Sequence, residues 1–517
     1  MTGLAAGLLG SAAMAADWPQ WGGNSPGRNM YVAGATGLPD EFEPGDFKPG
    51  TEEVDLSSAK NVKWAAQLGT QSYGNTTIAN GRIFIGTNND AMRDPQHTGD
   101  RSILLCLEEK TGDFLWQLVI PKLKAGKAND WESLGLLSSP TVVGDRVYVV
   151  SSRCEVLCID VQGLANGNDG PYTDEAQYVH LDTGKPPAKL GPKDGDIIWR
   201  YDMMDELGVY PHNAANGSVI VQNGLVYACT SNGQDWTHTN VPSPYSPSFI
   251  ALDAETGELK GEDNAEIGPN ILHGQWSSPS YGVVNGQAQL FYGGGDGYCY
   301  AFAATPVYDK AKDQQQLRKI WWFDANPPEY KKDKDGNPIE YPSAEGPSEI
   351  NATPVFYNNR VYVATGQDPE HGEGVGQLVC LDPTKKGDIT TSGEIWVYKD
   401  IKRSLSTVSI DPATGLLYAS DFSGYVHCLD AATGKAHWIY DMKAHMWGST
   451  LAADGKVYVG DEDGDFVVLA SGPKLELISE TYFPAPIYST PVVANGVLYI
   501  ATQSHLYALQ DETKSKP

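Results

Sequence analysis

The stretch "ADGKVYVGDEDGDFVVL", Ala453 to Leu469, reads as an apolar strand, a tight turn and a second strand. Asp454-Gly455 supplies the positive φ that a two-residue hairpin needs, and the alternation in Val457-Tyr458-Val459 suits a pleated, buried ribbon. The same phrase returns along the chain. It begins at Gly74, Ser138, Asn216, Ser277, Ala352, Ser406, Gly448 and Ser489, which makes eight copies. Tyr418 and Tyr458 are 40 residues apart, and Tyr458 and Tyr499 are 41 apart. A repeat of about 40 residues built from hairpins predicts a four-stranded propeller blade, so the expected fold is all-β, an eight-bladed β-propeller of antiparallel blades.

Within each unit a third strand follows, as in "LLCLE" at Leu104 or "VHCLD" at Val426, then a Thr-Gly turn, then a fourth strand that often carries Trp. The last unit has only three strands, ending near "HLYALQ" at His505, whereas "NVKWAAQLG" from Asn61 is an unpaired fourth strand with its own Trp64. If that N-terminal strand completes the last blade, the ring closes without a long free sheet edge. The expected organisation is an export signal at 1–15, an irregular arm along the surface at 16–60, the propeller at 61–510 and a polar tail at 511–517. The signal is read from a short apolar run followed by Ala13-Met14-Ala15, a small-x-small cleavage pattern, although no basic leader precedes it. The protein is therefore expected in the periplasm or outside the cell.

The chain has 517 residues and a net charge of −28, which argues against a nucleic-acid partner. No apolar run after the leader is long enough to span a membrane, and a monomer is expected. Cys106, Cys158, Cys380 and Cys428 occupy one slot of the third strand in different blades, too far apart for disulfides and suited to small buried side chains. Cys154 and Cys158 stand four residues apart, about 13 Å on an extended strand.

"ALDAETGEL" at Ala251 and "CLDAATGKAHW" at Cys428 resemble the pyrroloquinoline-quinone (PQQ)-type propeller repeat of quinoprotein alcohol dehydrogenases and of the propeller subunit of the outer-membrane β-barrel assembly machinery. The resemblance implies that the fourth-strand Trp, here Trp64, Trp116, Trp199, Trp396 and Trp438, docks between neighbouring blades. Blades three and seven depart from it, with Leu259 and the Trp-free "LELISETYF". "ADWPQWGGN", "HGQWSSPSYG" and "DPEHGEGVGQLVCLDPTKKGD" are similar to segments of secreted bacterial propellers described as PQQ-binding-like.

Candidate function sits in the loops. Loops 88–101, 233–247 and 367–376 join second to third strands, and loops 121–137, 203–213, 260–274 and 326–348 join blades; all seven are expected on one face. Insertions 162–196 and 303–317, with His180, fall to the other. The crowded face collects His97, His212, His238, His273, His371 and His445. "QDPEHGEG" places Asp368, Glu370, His371 and Glu373 between glycines, a set able to hold a divalent cation. The residue before each first strand should ring the mouth of the channel: Tyr73, Leu137, Ala215, Trp276, Asn351, Leu405, Trp447 and Tyr488, with Asn216 and Glu349 beside them. The four aromatic residues suit either a platform for a flat ligand or a plug in a tapering channel.

Three functions remain open on the sequence. One is a binding or scaffold propeller for a protein or carbohydrate partner. Another, implied by the resemblance, is a PQQ- and Ca²⁺-dependent dehydrogenase. There a quinone would stack on Trp276 or Trp447, the cation would sit on Glu349 and Asn351, and Asp296 or Asp368 would act as base. The adjacent Cys-Cys pair of many alcohol-oxidising members and any haem-attachment C-x-x-C-H are absent. The last is a metal-assisted enzyme using the loop histidines and carboxylates, with Glu349, Asn351, Asp368, Glu370 and His371 as ligand candidates.

Overall fold

Eight small sheets follow one another around a central axis in the computed structural model, which describes residues 16–371 and 374–514. Each blade is an antiparallel meander, for example Leu451–Ala453, Lys456–Gly460, Asp465–Ala470 and Leu477–Tyr482 in blade 7. The first two strands meet at Asn80-Gly81, Asn223-Gly224, Asn285-Gly286, Asp454-Gly455 and Asn495-Gly496, where both residues have positive φ, the backbone of a tight twisted hairpin. Val62–Gln67 pairs antiparallel with His505–Leu509, with Trp64 opposite Ala508, so the N-terminal strand completes blade 8 and closes the ring.

Two devices join the blades. Indole N–H groups of Trp64, Trp116, Trp199, Trp396 and Trp438 donate to backbone carbonyls of the next blade: Glu109, Val161, Ala254, Ala431 and Gly472. Three of these rings lie directly over turn glycines, Gly112, Gly257 and Gly434, where an added Cβ would fall within 2.6 Å of a ring carbon. A Thr-Gly turn therefore serves twice, reversing the chain and leaving room for the neighbour's indole. Nearer the axis, backbone N–H groups donate to the side-chain oxygen of the adjoining blade: Asn75 to Ser139, Ser139 to Ser218, Ser218 to Ser278, Thr407 to Ser449, Ser449 to Thr490, and Thr490 back to Asn75, at 2.6–3.0 Å. The apolar core lies between these levels as layers shared by adjacent blades, such as Tyr148 and Val150 of blade 2 against Val226 and Ala228 of blade 3.

The N-terminal arm differs from the surface path expected for it. Residues 16–32 run across the end of the channel and bond to every blade. Asn495 and Val142 N–H donate to the carbonyls of Ala16 and Pro19, and Trp18 exchanges two bonds with Ile78. Tyr281 and Phe356 N–H donate to Pro26 and Gly27, Asn29 brackets Ile410, and Ala452 N–H donates to Met30. Arg28 reaches blades 3 and 4 through the carbonyls of Val219 and Pro279. The physical reason is that the inner strand of each blade has a free edge facing the axis, and an extended segment satisfies those edges. Trp18, Arg28 and Met30 are at most 2 % exposed.

The insertions likewise cover outer edges. The 162–196 segment pairs Asp194 with Gln117 on the outer strand of blade 1, 307–317 forms a hairpin on the outer strand of blade 3, and Gly387–Asp388 pairs with the outer strand of blade 4. All seven cysteines are buried and unpaired. Among the described residues no helix is long and apolar enough to cross a membrane.

Candidate functional site

Because the arm closes one end, the channel is a blind cup. Trp21 forms part of its floor and donates to the Thr353 hydroxyl, below the ring of Ser, Thr and Asn side chains. At the open end lies a cavity of about 440 Å³. One side of its wall is a cluster of three rings. Tyr73 stacks on Tyr488 with centroids 4.9 Å apart, and Trp447 packs against Tyr488 at 5.3 Å. Trp276 stands three to four blades away, held by its indole N–H on the Ala214 carbonyl. The four aromatic residues therefore do not form one platform: three share a wall and one faces them. Loop 121–137 adds Trp131, which the sequence reading missed, and Lys127 sits 4.4 Å from that ring's centroid.

Ala215 is not on the rim. It is 1 % exposed and packed between blades, and Asn216 takes the rim position in blade 3. The short Asn213-Ala214-Ala215-Asn216 run carries no signal that fixes its register to one residue.

The polar part of the mouth is built on Glu349, which precedes the inner strand of blade 5. Its Oε1 accepts from Asp368 N–H at 2.8 Å, Tyr341 Oη at 3.2 Å and Asn351 Nδ2 at 3.3 Å. Its Oε2 and Asn351 Oδ1 are buried and without a partner. Burial, with Asp368 nearby, pushes the Glu349 carboxyl up to about 8, so it holds its proton near neutrality. Asp368 lies on the cavity wall, begins the 3₁₀ turn Pro369–His371, and fixes it by accepting from Glu370 N–H. Glu370 shares that wall, and Glu373 lies outside the described residues.

Tyr341, on loop 326–348, links the carboxyl to a group of imidazoles. Its oxygen is 2.8 Å from His273 Nδ1, and His371 Nε2 is 3.0 Å from the same nitrogen. His212 and His238 complete the group, with ring centroids 4.3 and 4.8 Å from His273. The folding of loop 203–213 positions His212. Asp202 caps the short helix Met203–Leu207, Gly208 ends it at φ 65°, and the chain then turns inward. His212 Nδ1 meets the Gln234 carbonyl at 2.7 Å. Burial pushes His212 down to about 4 and lowers His273 further, so both rings are neutral.

The remaining candidates stand elsewhere. Asp296 is buried in the second-to-third turn of blade 4, where it accepts from Tyr300 Oη and Tyr298 N–H. Burial pushes it up to about 7, and it forms no part of the cavity wall. His97 packs against His180, with ring centroids 5.7 Å apart. The 162–196 insertion climbs the outer edge of blade 1 and reaches loop 88–101, as Arg101–Asp182 at 2.7 Å also shows, so His180 does not belong to the opposite face alone. His445 pairs with Glu462 and stacks on Phe422.

The donor set tests the expected cofactors. Glu349, Asn351 and Asp368 offer oxygen atoms, two of them unpartnered, which suits a hard cation such as Ca²⁺. PQQ itself carries several carboxylates. The cavity wall presents Asp368 and Glu370 and, among the described residues, neither Lys nor Arg, so it does not match an anionic quinone.

The comparisons with known proteins agree with the propeller fold. Residues 332–440, 376–472 and 422–516 match the family of the outer membrane protein assembly factor BamB. The chain is 21 % identical over 495 residues to the polyvinylalcohol dehydrogenase of Sphingopyxis sp. strain 113P3, covering 82 % of this chain and 69 % of that protein. In fold it is similar to a quinohemoprotein alcohol dehydrogenase from Pseudomonas putida HK5 (TM-score 0.57, 12 % identity, 97 % and 81 % of the two chains). It is also similar to BamB from Moraxella catarrhalis (TM-score 0.51, 13 % identity, 88 % and 99 %).

Proposed function

We propose that the protein is an exported binding propeller that takes a neutral, polyhydroxylated chain of carbohydrate type at the open end of its channel. The observation that carries this reading is the composition of the cavity wall. It sets the rings of Trp276, Trp447 and Tyr488 beside the acceptors Asn216, Asn351, Asp368 and Glu370, with no Lys or Arg among the described residues of the wall. Sugar rings offer apolar C–H faces to aromatic rings and hydroxyl donors to carboxylates and amides, and they need no cationic partner. The similarity to an enzyme named for polyvinyl alcohol, itself a polyol, supports a hydroxyl-rich ligand.

The test is calorimetric titration with a panel of soluble neutral polysaccharides and polyvinyl alcohol. Binding insensitive to salt is expected for at least one of them, with Trp276→Ala and Trp447→Ala each weakening it about 10-fold. Failure of every ligand in the panel contradicts the reading. So does dye-linked alcohol oxidation after reconstitution with PQQ and Ca²⁺, which would make the protein a quinone-dependent dehydrogenase despite the charge of its cavity.

A further inference from the structure

We propose that His212, His238 and His273 form a three-imidazole site for one divalent transition metal ion of the zinc and copper class, set behind Trp276 at the wall of the cup. The three side chains come from loops 203–213, 233–247 and 260–274, which belong to two adjacent blades, and their ligating atoms lie within 4.8 Å of one another. His212 and His273 are at most 1 % exposed, and the Nε2 atoms of all three are buried without a hydrogen-bond partner.

Orientation of the imidazoles is the stronger argument. His212 donates Nδ1–H to the Gln234 carbonyl, which leaves a lone pair on Nε2. His273 Nδ1 faces Tyr341 Oη, whose proton goes to Glu349, and His371 Nε2; with both as acceptors, Nδ1 carries the proton and the lone pair of His273 lies on Nε2. Metal-bound histidines have their tautomer fixed in this way, by a carbonyl or carboxyl behind the ring. The Nε2 lone pairs of His212 and His273 point into this space without a hydrogen-bond donor, and the Nε2 of His238 is buried beside them.

The set contains nitrogen donors only, which favours zinc or copper over calcium or magnesium. Three protein ligands leave a fourth position for water or another ligand atom. His238, half-buried beside the exposed Trp236, is the member nearest to solvent.

Untagged full-length protein, stripped with EDTA, is titrated with Co²⁺ and followed by visible absorption, then with Zn²⁺ as competitor. The expected result is one Co²⁺ per chain with the intense d–d bands of low coordination number, displaced by Zn²⁺ and unaffected by Ca²⁺. His212→Gln and His273→Gln should each weaken Zn²⁺ binding by more than the 10–100-fold typical of losing a supporting group. Tyr341→Phe, which removes only the support of His273, should weaken it about 10-fold. Exposed His437→Gln should bind as the natural protein does.

Absence of a one-to-one Co²⁺ complex, or full Zn²⁺ binding by a His212→Gln/His273→Gln double variant, overturns the proposal. If the variants fail to fold, the paramagnetic resonance spectrum of the Cu²⁺-loaded natural protein decides. Coupling to three imidazole nitrogens supports the site, and coupling to fewer than three contradicts it.

Discussion

Trp64→Ala is expected to lower the free energy of unfolding by about 3–5 kcal/mol, the cost of emptying a well-packed indole site. Trp64 is 6 % exposed, lies on Gly112 of blade 1, packs 6.0 Å from Tyr499 and donates to the Glu109 carbonyl. It therefore contributes on both sides of the joint at which the two ends of the chain meet. The loss is amplified by topology. Opening this joint exposes the apolar faces of both blades 8 and 1 and leaves two terminal blades where the closed ring has none. Urea denaturation at fixed pH measures it, with Trp236→Ala as control; that residue is 54 % exposed, and its removal should change stability by less than about 0.5 kcal/mol. Equal effects of the two substitutions would show that the N-terminal strand does not seal the ring.

Arg28→Met should destabilise by a similar amount, about 3–5 kcal/mol. The Arg28 side chain is fully buried with no carboxylate beside it, and its three nitrogens donate to the carbonyls of Pro279, Trp21 and Val219. Desolvation pushes the guanidinium down to about 9, far below its ordinary value, so the site holds a charge at a cost that only these carbonyls offset. Methionine fills the volume and leaves the Pro279 and Trp21 carbonyls without that donor. Arg28→Lys should recover only part of the loss, because one ammonium cannot span three acceptors in the plane of a guanidinium. Thermal melting of the three proteins checks the order natural, Lys, Met; a Met variant as stable as the natural protein would contradict it.

These two residues mark the limit of what could be read without coordinates. Trp64 was legible because its strand belongs to a repeat: a fourth strand without a blade and a blade without a fourth strand imply each other. Arg28 was not, since its partners lie 191 and 251 residues away on strand edges, and backbone acceptors leave no mark in the side-chain pattern. The arm that carries it has buried Trp18, Trp21 and Met30 at spacings of neither helix nor strand, so nothing in its periodicity distinguishes a channel plug from a surface segment.

The cup followed the same division. Seven of the eight rim positions were legible from register, and the shift from Ala215 to Asn216 follows from Ser218, which fills the blade's place in the ring of Ser and Thr side chains two residues after the rim. The loop histidines were each visible, yet their grouping was not. His212, His238, His273 and His371 come from four loops with no fixed spacing, and Tyr341, which joins them to Glu349, sits in a loop with no motif at all. The signal that was present is coarser: consecutive blades carrying long loops and histidines on the same side.

The account rests on one claim, that the N-terminal chain closes the channel at one end and leaves the other as the only mouth of a cup. Hydrogen–deuterium exchange of the intact protein tests it most directly. Amides of Ile78, Val142, Tyr281, Phe356, Ile410 and Ala452, which donate to residues 16–32, should exchange as slowly as the blade interiors. Exchange of these amides within seconds, while the second and third strands of each blade stay protected, would mean that the arm is not seated in the channel and would contradict the blind cup on which the proposed site depends.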